Sequence, residues 1–505
     1  MNPLSRTGSE PDVHSCPGSP DPDRWHALGV TLAAGFMILL DVTIVSVALP
    51  SMQRDLDASA SAAQWVVSGY ALTFALALVV AGRLGDAVGR RRIFLISLSA
   101  FVLCSAAVGA APTMALVVVA RLAQGVSAGC LAPQNSALIQ QLFQGSERAR
   151  AFGLFSATVG ISSAVGPITG GTILTLATGT DGWRWIFYIN VPVGAAALVL
   201  GWRLLPRAVP GGRTHLDLVG VSLLGGGVLA LMLPLVQADS GGIRHLWWLF
   251  PVGTLLLAGF AWWERRCSAQ GLDPLVDPRL ITGVRGYAAG VLLATVYFVG
   301  FSGIWLVFAL YFQDGLGYSP LESGLAVAPF AVGSAGAAVV ASRLVERTGR
   351  LLTVLGLTAV AVGLGATALL LWLVPPHTAV WTLIPALLLS GIGSGFVISP
   401  NVTMTLREVP TRMAGVAGGA LQTGQRLGAA VGTAVLPGLY YLALADQDAY
   451  PAAVALAVGV GVLAVLVALG LALADWRTDR RTASLDALPR APHRAEETSR
   501  TGAKP

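Results

Sequence analysis

Fourteen apolar stretches, each close to the length that crosses a bilayer, leave this chain little choice of fold. A spanning helix needs roughly 20 apolar residues, and the first stretch, Ala27 to Pro50, supplies them. Lipid offers the backbone no hydrogen-bond partners, so such stretches must close their own bonds as helices. The spans read as 27–50, 62–82, 93–111, 114–135, 150–175, 184–205, 216–236, 245–264, 285–312, 322–343, 351–374, 379–401, 413–440 and 451–474. Only 11% of the residues are charged, against about 25% in soluble domains. The expected fold is an all-α polytopic membrane protein.

Charge orients the spans. Cytoplasmic loops collect Arg and Lys. With both termini cytoplasmic, all but five of the 32 basic residues fall on that side. Arg54, Arg184 and Arg244 lie opposite, and Arg121 and Arg426 lie within spans. Adding or losing one span would invert the later loops and destroy the asymmetry. The net charge of +6 is therefore topological signal, and no nucleic-acid partner is expected. The polar ends read as disordered cytoplasmic tails, 1–26 and 476–505. The spacing of Cys16, Cys104, Cys130 and Cys267 gives neither a metal site nor a disulfide framework.

An internal repeat divides what remains. Ala81-Gly82-Arg83-Leu84-Gly85-Asp86-Ala87-Val88-Gly89-Arg90 returns as Ala341-Ser342-Arg343-Leu344-Val345-Glu346-Arg347-Thr348-Gly349-Arg350, eight spans later. Two six-helix halves, 27–205 and 271–475, separated by two intervening helices in 206–270, produce that offset. Carriers built from such halves bind substrate near the midplane between them.

Asp41 and Arg121 are the candidate coupling residues. Asp41 is a carboxylate within an apolar span, where a charge costs about 2.5–3.5 kcal/mol on insertion scales. Such an acid handles protons or cations, or else makes a structural hydrogen bond only. Arg121 cannot be neutralised and must be paired or wetted. Each lies nine residues below the same face, Asp41 from Pro50 and Arg121 from Pro112, or roughly 13 Å. Equal depth permits a pair whose separation would switch the protonation of Asp41. An ion gradient is the expected energy source. The sole lysine is Lys504, so the chain has no P-loop lysine for ATP. No cofactor or metal is expected.

Two further patterns concern movement. The cytoplasmic loop Gly82-x-Leu84-x-Asp86-x-x-Gly89-Arg90 offers Asp86 to exposed backbone N–H groups at a helix N-terminus. Its glycines, Gly82 and Gly89, permit a tight turn, and Arg90 holds the loop inside. Gly153, Ser162, Gly166, Pro167, Gly170 and Gly171 form a run of small residues in the fifth span. Such residues let helices pack backbone to backbone, and Pro167 bends the helix. A tight seam of this kind between the halves would resist leakage.

At these residues the chain resembles the major facilitator superfamily, and within it the fourteen-helix drug:proton antiporters. Leu40-Asp41-x-Thr43-Ile44-Val45-x-Val47-Ala48-Leu49-Pro50 is similar to that family's first helix. Gln64-Trp65-Val66-Val67-Ser68-Gly69-Tyr70 and Trp183-Arg184-Trp185-Ile186-Phe187-Tyr188-Ile189-Asn190-Val191-Pro192 are similar to its second and sixth. Arg121-x-x-Gln124-Gly125-x-x-Ala128-Gly129 and the fifth-span run match superfamily signatures, with Ser162 replacing the usual glycine. Gly424-Gln425-Arg426-Leu427-Gly428 resembles an Arg-Gln-x-Gly-Gly stretch of the family with the first two residues exchanged. The resemblance spans roughly 27–475. It implies a monomeric multi-pass protein of the bacterial plasma membrane, exporting hydrophobic, often cationic drugs or antibiotics in exchange for protons. An enzyme is not expected.

The ninth span carries Tyr297, Phe301, Trp305, Phe308 and Phe312 on one helical face, which suits planar or cationic solutes but also ordinary packing. Phe301 and Trp305, with Trp65, Tyr70, Gln422 and Arg426, are the candidate substrate contacts. The last six spans hold no clear midplane acid, so a neutral or monovalent substrate is expected. Two alternatives stay open: a proton-coupled solute symporter of the same fold, and a membrane sensor that transports nothing.

Overall fold

The computed structural model describes residues 23–486 apart from 178, 180, 207–216, 238–240, 273, 276–277, 374–378, 410–413 and 448–449. It is all-helical among those residues. The first half contains α1 (Arg24–Asp55), α2 (Ala60–Val88), α3 (Arg90–Ala110), α4 (Met114–Leu142), α5 (Gly145–Leu176), α6 (Arg184–Tyr188) and α7 (Asn190–Leu204). Between the halves come α8 (Leu218–Val236), the short α9 (Gly242–His245), α10 (Leu249–Ala269) and α11 (Pro278–Gly283). The second half contains α12 (Tyr287–Leu310), continued by a π-helical turn at Tyr311–Gly315, then α13 (Pro320–Thr348), α14 (Arg350–Leu373), α15 (Ala379–Leu406), α16 (Ala414–Gln447) and α17 (Tyr450–Asp486).

Each of the fourteen stretches coincides with a helix, the sixth being split into α6 and α7. Among the described residues, twelve segments are long and apolar enough to cross a membrane. The other two stretches are α5, apolar over Val165–Leu176, and α10, which carries Glu264-Arg265-Arg266 in its last two turns. At 32 and 21 residues both are still long enough to span. The break at Ile189 precedes Pro192, which has no N–H to return to the Tyr188 carbonyl.

Two expectations about the ends are corrected. The loop at Gly82–Arg90 shrinks to one residue, because α2 runs helical to Val88 and α3 starts at Arg90. Gly89 makes the turn alone at φ 106°, a conformation that side chains resist. Its counterpart Gly349 turns α13 into α14 at φ 55°. The C-terminal tail was expected from 476, yet α17 stays helical to Asp486. Arg350 at the start of α14 pairs with Asp475 and, at 4.0 Å, with Asp479, fastening that extension.

The halves meet near the face that bears the α1–α2 turn. Gln313 Nε2 donates to the Val47 carbonyl at 2.9 Å, and the Tyr441 hydroxyl to Gln53 Oε1 at 3.2 Å. A turn or more deeper, Ser68 of α2 donates to Thr433 of α16 at 3.1 Å. The α8–α10 hairpin covers the α2–α16 edge. Leu224, Val228, Met232 and Val236 of α8 cluster there with Leu72, Ala430 and Ala434. Gly227 and Gly253 let α8 and α10 touch through their backbones, a Cβ at Gly253 falling 2.9 Å from the Gly227 carbonyl oxygen.

Candidate functional site

Glycine positions the central pair. A Cβ on Gly125 of α4 would stand 2.5 Å from the Tyr70 carbonyl oxygen of α2, and one on Gly129 would meet the Phe74 carbonyl. These two residues, four apart, seat α4 directly on α2. One turn before Gly125, Arg121 is thereby carried across α2. Its Nε donates to the Val66 carbonyl at 3.1 Å, and its guanidinium carbon sits 4.1 Å from the Tyr70 ring centroid.

From there Arg121 reaches Asp41. Nη1 donates to Asp41 Oδ2 at 2.5 Å and to Gln124 Oε1 at 3.0 Å. Gln124 Nε2 donates to Asp41 Oδ1 at 3.1 Å, and Asn190 Nδ2 donates to the same oxygen at 3.2 Å. Asn190 also donates to Ser105 Oγ at 3.0 Å, and Ser105 to the Phe187 carbonyl at 2.9 Å. Asp41 and Arg121 are each 1% exposed. Both carboxylate oxygens are thus occupied, by an arginine and two amides from α4 and α7. A buried pair survives only with such supporting hydrogen bonds. Removing charge from Asp41 would leave Arg121 to find another partner, so one proton alters the packing of α1, α4 and α7 together.

The structure brings Asp41 and Arg121 together, an approach that their equal depth permits but does not require. The sequence reading gave no role to Gln124, Asn190 or Ser105. Each is a polar residue inside an apolar run near the level of Asp41, and that was the available signal.

The fifth-span residues serve two contacts. Gly166 and Gly170 face α1: a Cβ on Gly166 would collide with Thr43, and one on Gly170 would lie 2.9 Å from Ile44 Cγ1. Ser162 is fully buried, and its carbonyl receives Thr43 Oγ1 at 3.5 Å. That packing lies within one half. The seam between halves is made by Gly171, where a Cβ would lie 2.5 Å from Leu321 Cα, and by Pro167, whose carbonyl abuts Gly324. Near the opposite face, Arg90 Nη1 donates to the Ala137 carbonyl at 3.2 Å, and Gln134 Nε2 to Ala81 at 2.8 Å. Gly82, Asp86 and Gly153 belong to helical backbone, and their surroundings lie outside the described residues.

The candidate substrate contacts do not all converge. Tyr70 stands beside the Asp41–Arg121 pair. Trp65 instead packs into the apolar cluster shared by α2, α8 and α16, because it lies on the Leu72 face of α2. The aromatic face of α12 forms a continuous ladder. Tyr297, Phe301, Trp305, Phe308 and Phe312 follow at centroid separations of 5.1, 5.3, 6.1 and 5.8 Å. Phe330 of α13 closes on Trp305 at 4.4 Å. Phe308 and Phe312 are fully buried, whereas Phe301 and Trp305 stay half-buried. On α16, Gln422 is exposed and Arg426 is half-buried, 4.3 Å from the Phe74 ring centroid.

Two helical bundles, a buried Asp–Arg pair and a glycine seam between the halves are the architecture of a membrane transporter. A sequence model of the Major Facilitator Superfamily matches residues 31–433, and the chain belongs to that family. It is 40% identical over 462 residues to the puromycin resistance protein pur8 of Streptomyces alboniger, covering 88% of this chain and 89% of that protein. It is 37% identical over 450 residues to the probable actinorhodin transporter of Streptomyces coelicolor, covering 88% and 77%. The tetracenomycin C resistance and export protein of Streptomyces glaucescens is 33% identical over 82% of this chain and 75% of its own length. Among solved structures, an inward-facing bacterial homologue of the human lysosomal transporter Spinster superposes with a TM-score of 0.63 at 15% identity, covering 91% of this chain and 98% of that one. A D-xylose–proton symporter gives 0.61 at 16% identity, covering 88% and 97%. These likenesses show the fold.

Proposed function

We propose that the chain is a proton-coupled antiporter that exports hydrophobic antibiotics or drugs across a bacterial plasma membrane. The observation that carries the reading is the Asp41 carboxylate, buried yet held by Arg121, Gln124 and Asn190. Relatives named for puromycin, actinorhodin and tetracenomycin C support the substrate class. In this reading the termini are cytoplasmic, the α1–α2 turn faces outward, and residues 27–205 and 271–475 rock against each other around the site. The linker helices α8 and α10 ride on the α2–α16 edge.

Protonation of Asp41 from outside releases Arg121, and deprotonation inside restores the pair. One proton crossing about 150 mV supplies roughly 3.5 kcal/mol. That sustains a gradient of several hundredfold, since about 1.4 kcal/mol is tenfold. Everted membrane vesicles test the exchange directly. Puromycin or a related hydrophobic drug, added to vesicles holding an acid interior, should discharge the pH gradient in proportion to the amount of protein. A gradient that survives every drug while the protein is shown to be present would overturn the reading. Discharge that needs the drug preloaded inside the vesicles would mark a symporter instead.

A further inference from the structure

Away from the ends of the fourteen apolar spans, the two halves hold three charged side chains among the described residues: Asp41, Arg121 and Arg426. The first two satisfy each other. Arg426 has no carboxylate or hydrogen-bond acceptor among the described residues, and its neighbour is the face of Phe74. It lies nine residues into the apolar span Ala417–Leu444, or roughly 13 Å deep. An arginine there cannot shed its charge, and a lone charge at that depth is costly, so such residues mark solute paths.

The geometry places Arg426 on the inter-half cleft. Residues 422, 426 and 433 fall on one stripe of α16 by helical spacing. Thr433 on that stripe bonds Ser68 of the other half, so Gln422 and Arg426 also look toward that half. The halves touch at Thr433, whereas Gln422 is exposed, so the cleft opens along this stripe. Two buried hydroxyls nearby also lack partners: Thr423, three residues before Arg426, and Tyr70, which lies within electrostatic reach of Arg426, Arg121 and Asp41.

We infer that the transported molecule is an aromatic weak acid, whose carboxylate or ionised enol is received by Arg426. The three interior charges sum to +1 while Asp41 is ionised, and an organic anion completes them. A guanidinium presents a planar fork suited to such oxygens. Tyr70 and Thr423 hydroxyls supply further donors, and the half-buried rings of Phe301 and Trp305 offer faces for an aromatic body. The inference rests on the exporter reading and departs from the cationic substrates that the family resemblance implies.

Two dyes built on one xanthene ring provide the test. Fluorescein is anionic near neutral pH, and rhodamine 6G is cationic. Binding of each to the purified full chain is followed by fluorescence anisotropy. The parent should hold fluorescein at least about tenfold more tightly than rhodamine 6G, the scale of one hydrogen bond to a charged group. Arg426→Gln should erase that preference, and Arg426→Lys should retain part of it. A parent that favours the cation, binds both alike or binds neither overturns the inference. So does an Arg426→Gln protein that keeps the anion preference, the result expected if water alone satisfies the guanidinium. If Arg426→Gln fails to fold, the parent's own preference and the Lys variant still decide. The vesicle discharge assay, run with puromycin and with fluorescein, separates failure here from failure of the exporter reading: discharge by puromycin alone upholds export and overturns the anion preference.

Discussion

Tyr70 and Phe74 stand one turn apart on α2, their ring centroids separated by 6.0 Å, and each carries an interior arginine on its face. Arg121 comes to Tyr70 from α4 in the first half, and Arg426 comes to Phe74 from α16 in the second. The proposed proton-handling pair and the candidate solute-handling residue are thus joined through two neighbouring cation–π contacts. A shift of Arg121 when Asp41 changes charge has a short path to the other half.

That path separates ring from hydroxyl at position 70. Tyr70→Phe keeps the aromatic face, so proton and drug fluxes should stay coupled, while loss of the hydroxyl donor weakens substrate binding. Tyr70→Leu removes a desolvated cation–π contact of about 2 kcal/mol and should uncouple proton flux from drug flux. Paired measurement of both fluxes in proteoliposomes checks this. Tight coupling in the Leu variant would show that the stack is packing only.

Asp41 and Asn190 should differ in severity. Asp41→Asn cannot exchange a proton, so drug-dependent discharge should fall to the vesicle background at matched expression. Asn190→Ala removes one hydrogen bond to a charged group, about 1.5–3 kcal/mol. It should slow exchange by roughly tenfold or more and change its pH profile, while leaving the protein in the membrane. Equal activity in Asp41→Asn and the parent would remove the carrier role.

The two glycine contacts of α5 make opposite demands. Gly171 abuts Leu321 and the Pro320 carbonyl of the other half, so Gly171→Leu should prevent closure at the α1–α2 face without unfolding either half. Gly166 abuts Thr43 within its own half, so Gly166→Leu should lower the melting temperature as well as abolish export. Thermal melts alongside resistance assays distinguish the two. If both variants protect cells like the parent, neither contact is close.

Ser68 and Thr433 offer a direct report on movement. In a background lacking Cys16, Cys104, Cys130 and Cys267, Ser68→Cys with Thr433→Cys should form a disulfide that halts export and is reversed by reductant. Added drug or a pH gradient should change the rate of crosslinking. A crosslinked protein that exports normally would mean the halves do not part at this level.

Much of this arrangement was legible in the sequence because bilayer crossing leaves a one-dimensional record. Apolar length gave the helices, and depth below Pro50 and Pro112 gave the meeting of Asp41 with Arg121. Face selection was harder to read. Trp65 and Tyr70 are five residues apart, yet one faces α8 and the other Arg121, because α2 is packed on opposite sides by different helices. Gly166 and Gly171 share a motif but not a partner for the same reason. Asn190 was obscured because its role depends on a helix break that brings α7 onto α1.

Three hydrogen bonds that join the halves near the α1–α2 face run between neutral groups: Gln313 to Val47, Tyr441 to Gln53, and Ser68 to Thr433. Opening such a clasp exposes amides and hydroxyls that water solvates readily, and the one charged attraction recorded beside it among the described residues is that of Arg54 for Asp314. Dissolved salt weakens attraction between charges and leaves the neutral bonds nearly untouched. Salt should therefore loosen the closed form at that face only through Arg54 and Asp314, so the balance should shift modestly as the ionic strength of the surroundings rises and falls, as it does for a bacterium whose outer medium is not its own to control.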